Sequence, residues 1–168
     1  AGVWRGGATI FMRALLKAYQ VTDRIVWVAD SFQGLPKPNL RRYPLPEPSS
    51  LHKVGFLAVS LEEVKQNFAR YGLLDNQVKF LIGWFKDSLP KAPIKKLSLL
   101  RIDGDFYEST MDVLINLYPK VSSGGFLIVD DYGSLPNCRQ AVHDYRKNNK
   151  IKDKIIHAGG EAIYWRRS

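Results

Sequence analysis

Two strand-like apolar segments of this chain each end in a pair of aspartates. The apolar run at 97–100 leads into RIDGD at 101–105, and the apolar run at 125–129 leads into DDY at 130–132. Residues 109–120, between them, have the apolar pattern of a helix. A strand–helix–strand order predicts a parallel crossover unit, whose neighbouring strands lie about 4.8 Å apart. Both acidic runs are therefore expected side by side at the carboxyl edge of one sheet.

Four aspartates would converge at that edge, where they would repel one another unless a cation joined them. A hard divalent cation that prefers oxygen ligands, such as Mg²⁺, is the natural candidate. An aspartate after a buried strand can also be only a helix N-cap or a turn residue. Two clusters after successive strands favour the metal-binding interpretation over that structural one. The four residues are Asp103, Asp105, Asp130 and Asp131.

Hydrophobic periodicity predicts further elements on both sides of this unit. The first helix has its apolar residues on one face: Ile10, Phe11, Ala14, Leu15 and Ala18. Strands are predicted at 24–29 and 78–82, helices from a capping box at 60–63 and at 137–147, and an antiparallel hairpin from 155–156 and 162–165. This alternation predicts an α/β fold with a mostly parallel sheet and a C-terminal antiparallel hairpin. With 168 residues and 45% hydrophobic content, one domain spanning 1–168 is expected.

A glycine-rich turn precedes the first helix, and an aspartate ends the strand that follows it. Gly2 and Gly6 would let the backbone approach a ligand closely, and their spacing differs from the Gly-x-Gly-x-x-Gly pattern of dinucleotide folds. Asp30 is placed either to accept hydrogen bonds from ribose hydroxyls or to cap the segment after Ser31. Trp84, after the strand at 78–82, could flank an adenine or belong to the core. Together these features favour a nucleoside-containing cofactor with an amino-acid tail.

The strand that would normally lead into this glycine turn is missing from the sequence. A glycine-rich turn that opens a helix usually follows a strand, whereas this chain begins in the turn itself. The sequence is therefore interpreted as an N-terminally truncated form of a longer protein. Residues 36–50 are rich in proline and lack periodicity, which predicts a loop that acts as a lid over the site.

Charge and composition limit the classes of function. The formal net charge is +9, but the basic residues are scattered and form no aromatic-studded basic motif, which disfavours nucleic acid as a partner. The sequence contains no apolar run long enough to predict a membrane span. A single cysteine, Cys138, excludes an internal disulfide framework, and no signal peptide is visible. These features fit a cytoplasmic protein.

Seven sequence motifs occur in order along nearly the whole chain: GVWRGGA (2–8), WVADSFQGLP (27–36), SLEEVKQNFARYGLL (60–74), GWFKDSLP (83–90), RIDGDFYESTMDVLINLYPK (101–120), GGFLIVDDYG (124–133) and CRQAVHDYR (138–146). They resemble the macrocin O-methyltransferase family, whose members use S-adenosylmethionine and Mg²⁺ to methylate sugar hydroxyls in macrolide and aminocoumarin antibiotics. The resemblance implies a Rossmann-like class I methyltransferase fold, a small-molecule hydroxyl acceptor and self-association into homo-oligomers. It also implies that the absent strand belongs in mid-sheet, so that its loss would split the sheet.

The same resemblance assigns roles to residues of this chain. Asp103, Asp130 and Asp131 are implied as metal ligands. Asp105 or His52 is implied as the catalytic base that takes the proton of the acceptor hydroxyl. The residues expected to contact S-adenosylmethionine are Gly2, Val3, Gly6, Asp30, Ser31, Trp84 and Asp103.

Three other functions fit parts of the sequence. A catechol-type O-methyltransferase also pairs metal ligands with two adjacent hydroxyls, so the acidic runs alone do not separate a catechol from a sugar. A non-catalytic binding module built on a truncated methyltransferase fold would account for the absent strand. An RNA methyltransferase is suggested only by the positive net charge.

Overall fold

The computed structural model describes residues 1–37 and 50–168, which form two compact units. The glycine unit consists of Gly2–Lys37 and Ser50–Trp84, and the acidic unit consists of Ala1 and Phe85–Ser168. Residues 38–49 of the predicted lid lie outside the described residues. The expectation of a single domain over the whole chain stays a prediction. No helix in the described part of the chain is both long and apolar enough to cross a membrane.

The glycine unit has two strands and two α-helices in the predicted order. Strands β1 (Val26–Asp30) and β2 (Val78–Ile82) pair in parallel, in a register that runs from Val26↔Val78 to Asp30↔Ile82. Two short 3₁₀ turns, Leu51–Lys53 and Gly55–Leu57, precede the second helix. The elements are α1 (Gly7–Ala18), β1 (Val26–Asp30), α2 (Leu61–Arg70) and β2 (Val78–Ile82).

Helix α2 begins where its capping signal predicts. Ser60 is the N-cap, and its Oγ accepts a hydrogen bond from the Glu63 amide at 3.2 Å. Val64 and Phe68 are fully buried in the core of this unit. Tyr71, which the spacing places on the same face, is instead 69% exposed because the helix ends at the preceding residue.

Helix α1 is confirmed, but the prediction of its buried face is wrong in part. Phe11 is 64% exposed and Leu15 is 41% exposed. The buried side chains of the helix are Thr9 and Arg13. Arg13 can be buried because its guanidinium makes a bidentate contact with Asp75, with N···O distances of 2.6 to 3.1 Å. The ion-paired Arg13 is therefore buried on the face of α1 that packs inward, whereas Phe11 and Leu15, which periodicity alone would bury, are exposed.

The acidic unit contains four strands, β3 (Leu97–Ile102), β4 (Val121–Val129), β5 (Ile156–Gly159) and β6 (Ala162–Arg166). They form a mixed sheet of order β3-β4-β6-β5. β3 and β4 are parallel, and β6 runs antiparallel to both β4 and β5, which confirms the C-terminal hairpin. The strands of the described residues thus lie in two sheets, one in each unit. The elements are α3 (Phe85–Ser88), β3 (Leu97–Ile102), α4 (Tyr107–Leu117), β4 (Val121–Val129), α5 (Pro136–Asn148), β5 (Ile156–Gly159) and β6 (Ala162–Arg166).

One face of this sheet forms the core of the acidic unit. Alternate residues of β3, β4 and β6 point to the same face, as the pleat of a strand requires. Their buried side chains are Leu100, Ile102, Leu127, Val129, Ile163 and Trp165, and helices α4 and α5 contribute Val113, Leu114, Ala141 and Val142. Leu99 and Phe126, on the opposite face, remain more than a third exposed.

Strand β4 begins earlier than the sequence predicts. The predicted apolar run starts at residue 125, whereas the strand starts at Val121 and includes the serines and the glycine at 122–124. The pairing of β3 with β4 is irregular there, with a register shift between Leu97 and Leu99. A Cβ on Gly125 would lie 2.8 Å from the Ser122 oxygen, so the glycine permits a close backbone approach at the irregularity.

We expect Asp75→Asn to lower the free energy of unfolding by about 2 kcal/mol at pH 7, because it leaves the buried Arg13 without a charged acceptor. The hydrogen bond from Arg13 holds the pKa of Asp75 below its ordinary value of 3.8. The stabilisation is therefore full above pH 3.8 and is lost as the pH falls through the lower native value. Urea unfolding of both proteins between pH 2 and pH 7 measures the difference.

Asp23→Asn is the matched control for this prediction. The side chain of Asp23 is 77% exposed and lies 3.6 Å from Arg24, so its loss should change stability very little. A difference between wild type and Asp75→Asn that stayed constant down to pH 2 would contradict the assignment of this stability to the ion pair.

Candidate functional site

The two acidic runs leave adjacent parallel strands at the same edge. Ile102 and Val129, the last residues of β3 and β4, are partners in the register. The Asp130 amide donates to the Ile102 oxygen at 2.9 Å, which extends the ladder to the first residue past β4. The side-by-side placement predicted from the spacing is therefore confirmed.

Three carboxylates come together at this edge. Asp103, Asp105 and Asp131 each offer an oxygen, and these oxygens all lie within 4.8 Å of one another. The Asp105 amide also donates to Asp131 Oδ2 at 3.2 Å. Oxygens on opposite sides of a Mg²⁺ ion are about 4.2 Å apart, from metal–oxygen distances of about 2.1 Å. The donor type and the spacing of this group therefore fit a hard divalent cation.

Arg101 bridges two of the predicted metal ligands. Its Nη2 lies 2.8 Å from Asp103 Oδ2 and 2.9 Å from Asp130 Oδ2. Asp130, predicted as a ligand, is thus ion-paired, whereas Asp105, predicted as a base, stands with Asp103 and Asp131. Sequence reasoning gave Arg101 no role, although its position two residues before Asp103 on a strand places both side chains on one face.

Burial and mutual repulsion disfavour the charged forms of these carboxyls. Burial, together with the neighbouring Asp105 and Asp103, raises the pKa of Asp131 to about 7. Burial also raises the pKa of Asp103, although the Arg101 guanidinium opposes this shift. A bound cation would relieve both penalties, since it would neutralise a repulsion that the hydrogen bond from the Asp105 amide to Asp131 offsets only in part.

The backbone is strained at Asp105. Its φ of 55° lies in the left-handed region, which is uncommon for residues other than glycine, although aspartate tolerates it better than most. The next amide, of Phe106, donates back to the Gly104 oxygen at 2.6 Å, which closes a tight turn. Such strain persists only where the surrounding structure fixes the backbone, and it is concentrated at functional sites.

In the glycine unit, the predicted cofactor turn lies against the end of β1. The Gly2 amide donates to the Ala29 oxygen at 2.9 Å, and the Val3 amide donates to Asp30 Oδ2 at 2.8 Å. Gly6 is the N-cap of α1 with a φ of 90°, and a Cβ there would lie 3.1 Å from Val64. The glycine turn and Asp30, predicted to act together, are thus joined by a direct hydrogen bond.

Asp30 and Ser31 are largely engaged in building this turn. Asp30 Oδ1 accepts from the Phe32 amide at 2.8 Å. The buried Ser31 hydroxyl donates to the Gly34 oxygen and accepts from the Gln33 amide, each at 3.0 Å. The capping role considered for Asp30 is therefore real. It leaves further acceptor capacity on both carboxylate oxygens, since each has two lone pairs.

Trp84 and His52 are the remaining predicted site residues of this unit. Trp84 is half-buried directly after β2, where the preceding Gly83 amide donates to the Asp30 oxygen at 2.9 Å. His52 lies in the first 3₁₀ turn, and its Nδ1 has no hydrogen-bond partner among the described residues. His52 and Asp105, the two predicted bases, belong to different units.

Sequence reasoning missed several contacts that hold the acidic turns. Tyr132 stacks on His143, and Tyr107 donates to Asp144. The partners in each pair are at least 11 residues apart. The only advance signal was the helical spacing of 137–147, which does not show what the polar face of α5 contacts.

The fold is that of an α/β methyltransferase. The chain matches the solved structure of the O-methyltransferase NovP with a TM-score of 0.97 and 55% identity, over 100% of this chain and 70% of that one. A family model described as macrocin-O-methyltransferase (TylF) matches residues 1–167. The chain therefore belongs to the macrocin O-methyltransferase family.

Two curated relatives are similar over 99% of this chain. One is the mycinamicin III 3''-O-methyltransferase of Micromonospora griseorubida, at 55% identity. The other is the 8-demethyl-8-(2,3-dimethoxy-α-L-rhamnosyl)-tetracenomycin-C 4'-O-methyltransferase of Streptomyces olivaceus, at 54% identity. The chain spans 66% and 64% of the lengths of these two proteins.

We expect Asp131→Asn to raise the stability of the metal-free protein at pH 8. The Asp131 pKa of about 7 lies above its ordinary value of 3.8, so the folded wild type binds more protons than the unfolded chain between these values. Wild-type stability therefore falls as the pH rises from 3.8 to about 7, and asparagine escapes that loss. The gain should be absent below pH 4 and complete above pH 7 in urea unfolding.

The control is Asp87→Asn, an acidic-unit carboxylate whose side chain is 61% exposed. It should give no comparable pH-dependent gain. If Asp131→Asn were no more stable than wild type at pH 8 in the presence of a chelator, the repulsion inferred at this site would be wrong.

Proposed function

We propose that this chain provides an S-adenosylmethionine- and Mg²⁺-dependent O-methyltransferase activity, with a sugar hydroxyl of a glycosylated natural product as the acceptor. The family match over residues 1–167, joined to three carboxylates at adjacent strand ends, is the observation that carries this proposal. The rhamnosyl group in the name of the S. olivaceus relative supports a sugar as the acceptor class. A cytoplasmic location and self-association accompany the proposal as predictions from the sequence.

The glycine unit supplies residues suited to a nucleoside and its amino-acid tail. The backbone of Gly2, Val3 and Gly6 surrounds the start of α1, and the two glycines adopt positive φ values, which glycine does without strain. Asp30 would accept from the ribose hydroxyls while its bonds to the Val3 and Phe32 amides keep it oriented. Ser31 shapes this turn, and Trp84 would flank the adenine ring. Asp103 would make a further contact with the cofactor.

The acidic unit supplies residues suited to a metal and to proton removal. Asp103, Asp131 and one of Asp105 or Asp130 would hold Mg²⁺, which when bound lowers the pKa of a coordinated hydroxyl. Asp105, or His52 from the glycine unit, would take the acceptor proton as general base. Methyl transfer from a sulfonium is an in-line displacement, so the chain contributes mainly by orienting the acceptor and accepting its proton.

Calorimetric titration with S-adenosylmethionine tests the cofactor part of the proposal. We expect micromolar binding by wild type. Asp30→Ala should weaken it about tenfold, since it removes the ribose acceptor together with the brace of the glycine turn. Asp23→Ala, whose side chain is largely exposed in the same unit, should leave the affinity unchanged.

Absence of binding by the chain, with binding by the mycinamicin relative under the same conditions, would show that the chain alone lacks a working cofactor site. Equal affinity of wild type and Asp30→Ala would contradict the role given to Asp30. If wild type binds, sugar and catechol acceptors are then compared in one methyl-transfer assay, and a preference for the catechol would replace the proposed acceptor class.

The metal part of the proposal is tested with Asp103→Asn. We expect this change to abolish metal-dependent turnover and to leave S-adenosylmethionine affinity nearly intact, because a neutral amide is a poor ligand for Mg²⁺. Turnover and calorimetric affinity are measured on the same preparation, with Asp87→Asn as the control for loss of one carboxylate. Turnover equal to wild type would rule out Asp103 as a metal ligand.

A further inference from the structure

Two adjacent residues of α5 each hold a tyrosine that follows one acidic run. His143 contacts Tyr132, the residue after Asp131, and Asp144 contacts Tyr107, two residues after Asp105. We propose that the pairs Tyr132–His143 and Tyr107–Asp144 are positioning pairs, which fix both acidic turns on α5 and so preset the spacing of the metal-binding carboxylates. This inference rests on the proposed function, because it presumes that those carboxylates bind a metal.

Tyr132 and His143 make both a ring-stacking contact and a hydrogen bond. The rings stack with their centroids 5.7 Å apart and an interplanar angle of 14°. The Tyr132 hydroxyl and His143 Nε2 are 2.7 Å apart, within hydrogen-bond distance. The Arg139 guanidinium, from the preceding turn of α5, lies 6.0 Å from the Tyr132 ring centroid. The backbone beside Asp131 is therefore held to the middle of α5.

The Tyr107–Asp144 pair holds the other acidic turn. The Tyr107 hydroxyl donates to Asp144 Oδ2 at 2.9 Å. Gln140, one turn earlier on α5, donates its amide to Asp144 Oδ1 at 2.8 Å, which orients the carboxylate toward the tyrosine. Tyr107 is the first residue of α4, so this contact fixes the point at which the strained turn at Asp105 enters its helix.

A backbone contact closes the second acidic turn from the opposite side. The Gly133 amide donates to the Glu161 oxygen at 2.8 Å, between β5 and β6. A Cβ on Gly133 would lie 3.0 Å from the Glu161 Cα, so the two backbones are already in close contact. The turn that carries Asp131 is thus held between α5 and the C-terminal hairpin.

These braces would act on metal affinity through preorganisation. Without them, the acidic turns of the metal-free protein would relax away from the repulsion among their carboxylates, and binding would have to restore the arrangement. Groups that do not touch a metal but orient its ligands commonly change metal affinity when they are removed. The two tyrosine pairs do not contact the ligand side chains themselves, and they act on them through the backbone of the two acidic turns.

The experiment is Mn²⁺ titration of the full chain, followed by electron paramagnetic resonance of the free ion. Tyr132→Phe and His143→Phe each keep an aromatic ring for stacking and remove the hydrogen bond. We expect each to weaken Mn²⁺ binding by roughly threefold to tenfold, the effect of losing about one hydrogen bond. The double variant should be no weaker than either single one, because both remove the same contact.

Tyr107→Phe should weaken Mn²⁺ binding at least as much as Tyr132→Phe, because its bond to Asp144 is charged and partly buried. Tyr145→Phe is the matched control on the same helix. Its ring is buried against Tyr118, with centroids 5.6 Å apart. It reports how far a loss of stability alone changes the affinity.

Wild-type affinity for Mn²⁺ in Tyr132→Phe and Tyr107→Phe would overturn the proposal, as would an equal loss in Tyr145→Phe. Additive losses in the Tyr132 and His143 variants would show that the two residues do not act as a pair. If wild type itself fails to bind Mn²⁺ or Mg²⁺, the metal part of the proposed function fails instead, and the two failures are distinguished within one series.

Discussion

The parallel pairing of β3 with β4 sets the conditions for everything at the acidic edge. Because Ile102 and Val129 are partners, the chain carries its carboxylates out of the sheet at one place. The pairing is fixed by apolar residues on the buried face, which a shift of one position would expose. The sheet thus holds charges together that would otherwise separate. Arg101 neutralises part of that charge through Asp103 and Asp130.

The two units use strand-end aspartates in different electrostatic settings. Asp30 accepts hydrogen bonds from the backbone amides of Val3 and Phe32, so its charge is stabilised by the turn around it. Asp131 accepts from one amide and faces two other carboxylates, so its charge is opposed. A carboxylate whose charge is stabilised by amides, such as Asp30, is suited to accept hydrogen bonds from neutral hydroxyls. A carboxylate that faces other carboxylates, such as Asp131, is suited to bind a cation. The difference agrees with the separate roles proposed for the two residues.

The sequence predicted the elements well because strand ends, capping residues and periodicity are local signals. It did not predict the long-range contacts that decide which face of a helix is buried and which carboxylates lie together. In helix α1, Phe11 is exposed because Arg13 is buried in an ion pair with Asp75, 62 residues away. Asp130 is ion-paired with Arg101 from the neighbouring strand, so this contact depends on the register between β3 and β4 and not on a local pattern. The left-handed backbone at Asp105 had no signal in the sequence at all.

Left-handed backbone at residues other than glycine separates structural from functional turns in this chain. Of five such residues in the described ranges, Gln20 and Lys150 follow helix ends, where this conformation is ordinary. The other three lie in turns that carry the predicted site: Trp4 in the glycine turn before α1, Phe32 after β1 and Asp105 after β3. Each is held by long-range or turn contacts, such as the bond from Trp4 Nε1 to the Phe56 oxygen at 3.0 Å. Left-handed backbone thus occurs at both predicted ligand turns and, elsewhere in the described ranges, only after helix ends. Because such strain is concentrated at functional sites, it indicates that the shape of these two turns serves function as well as folding.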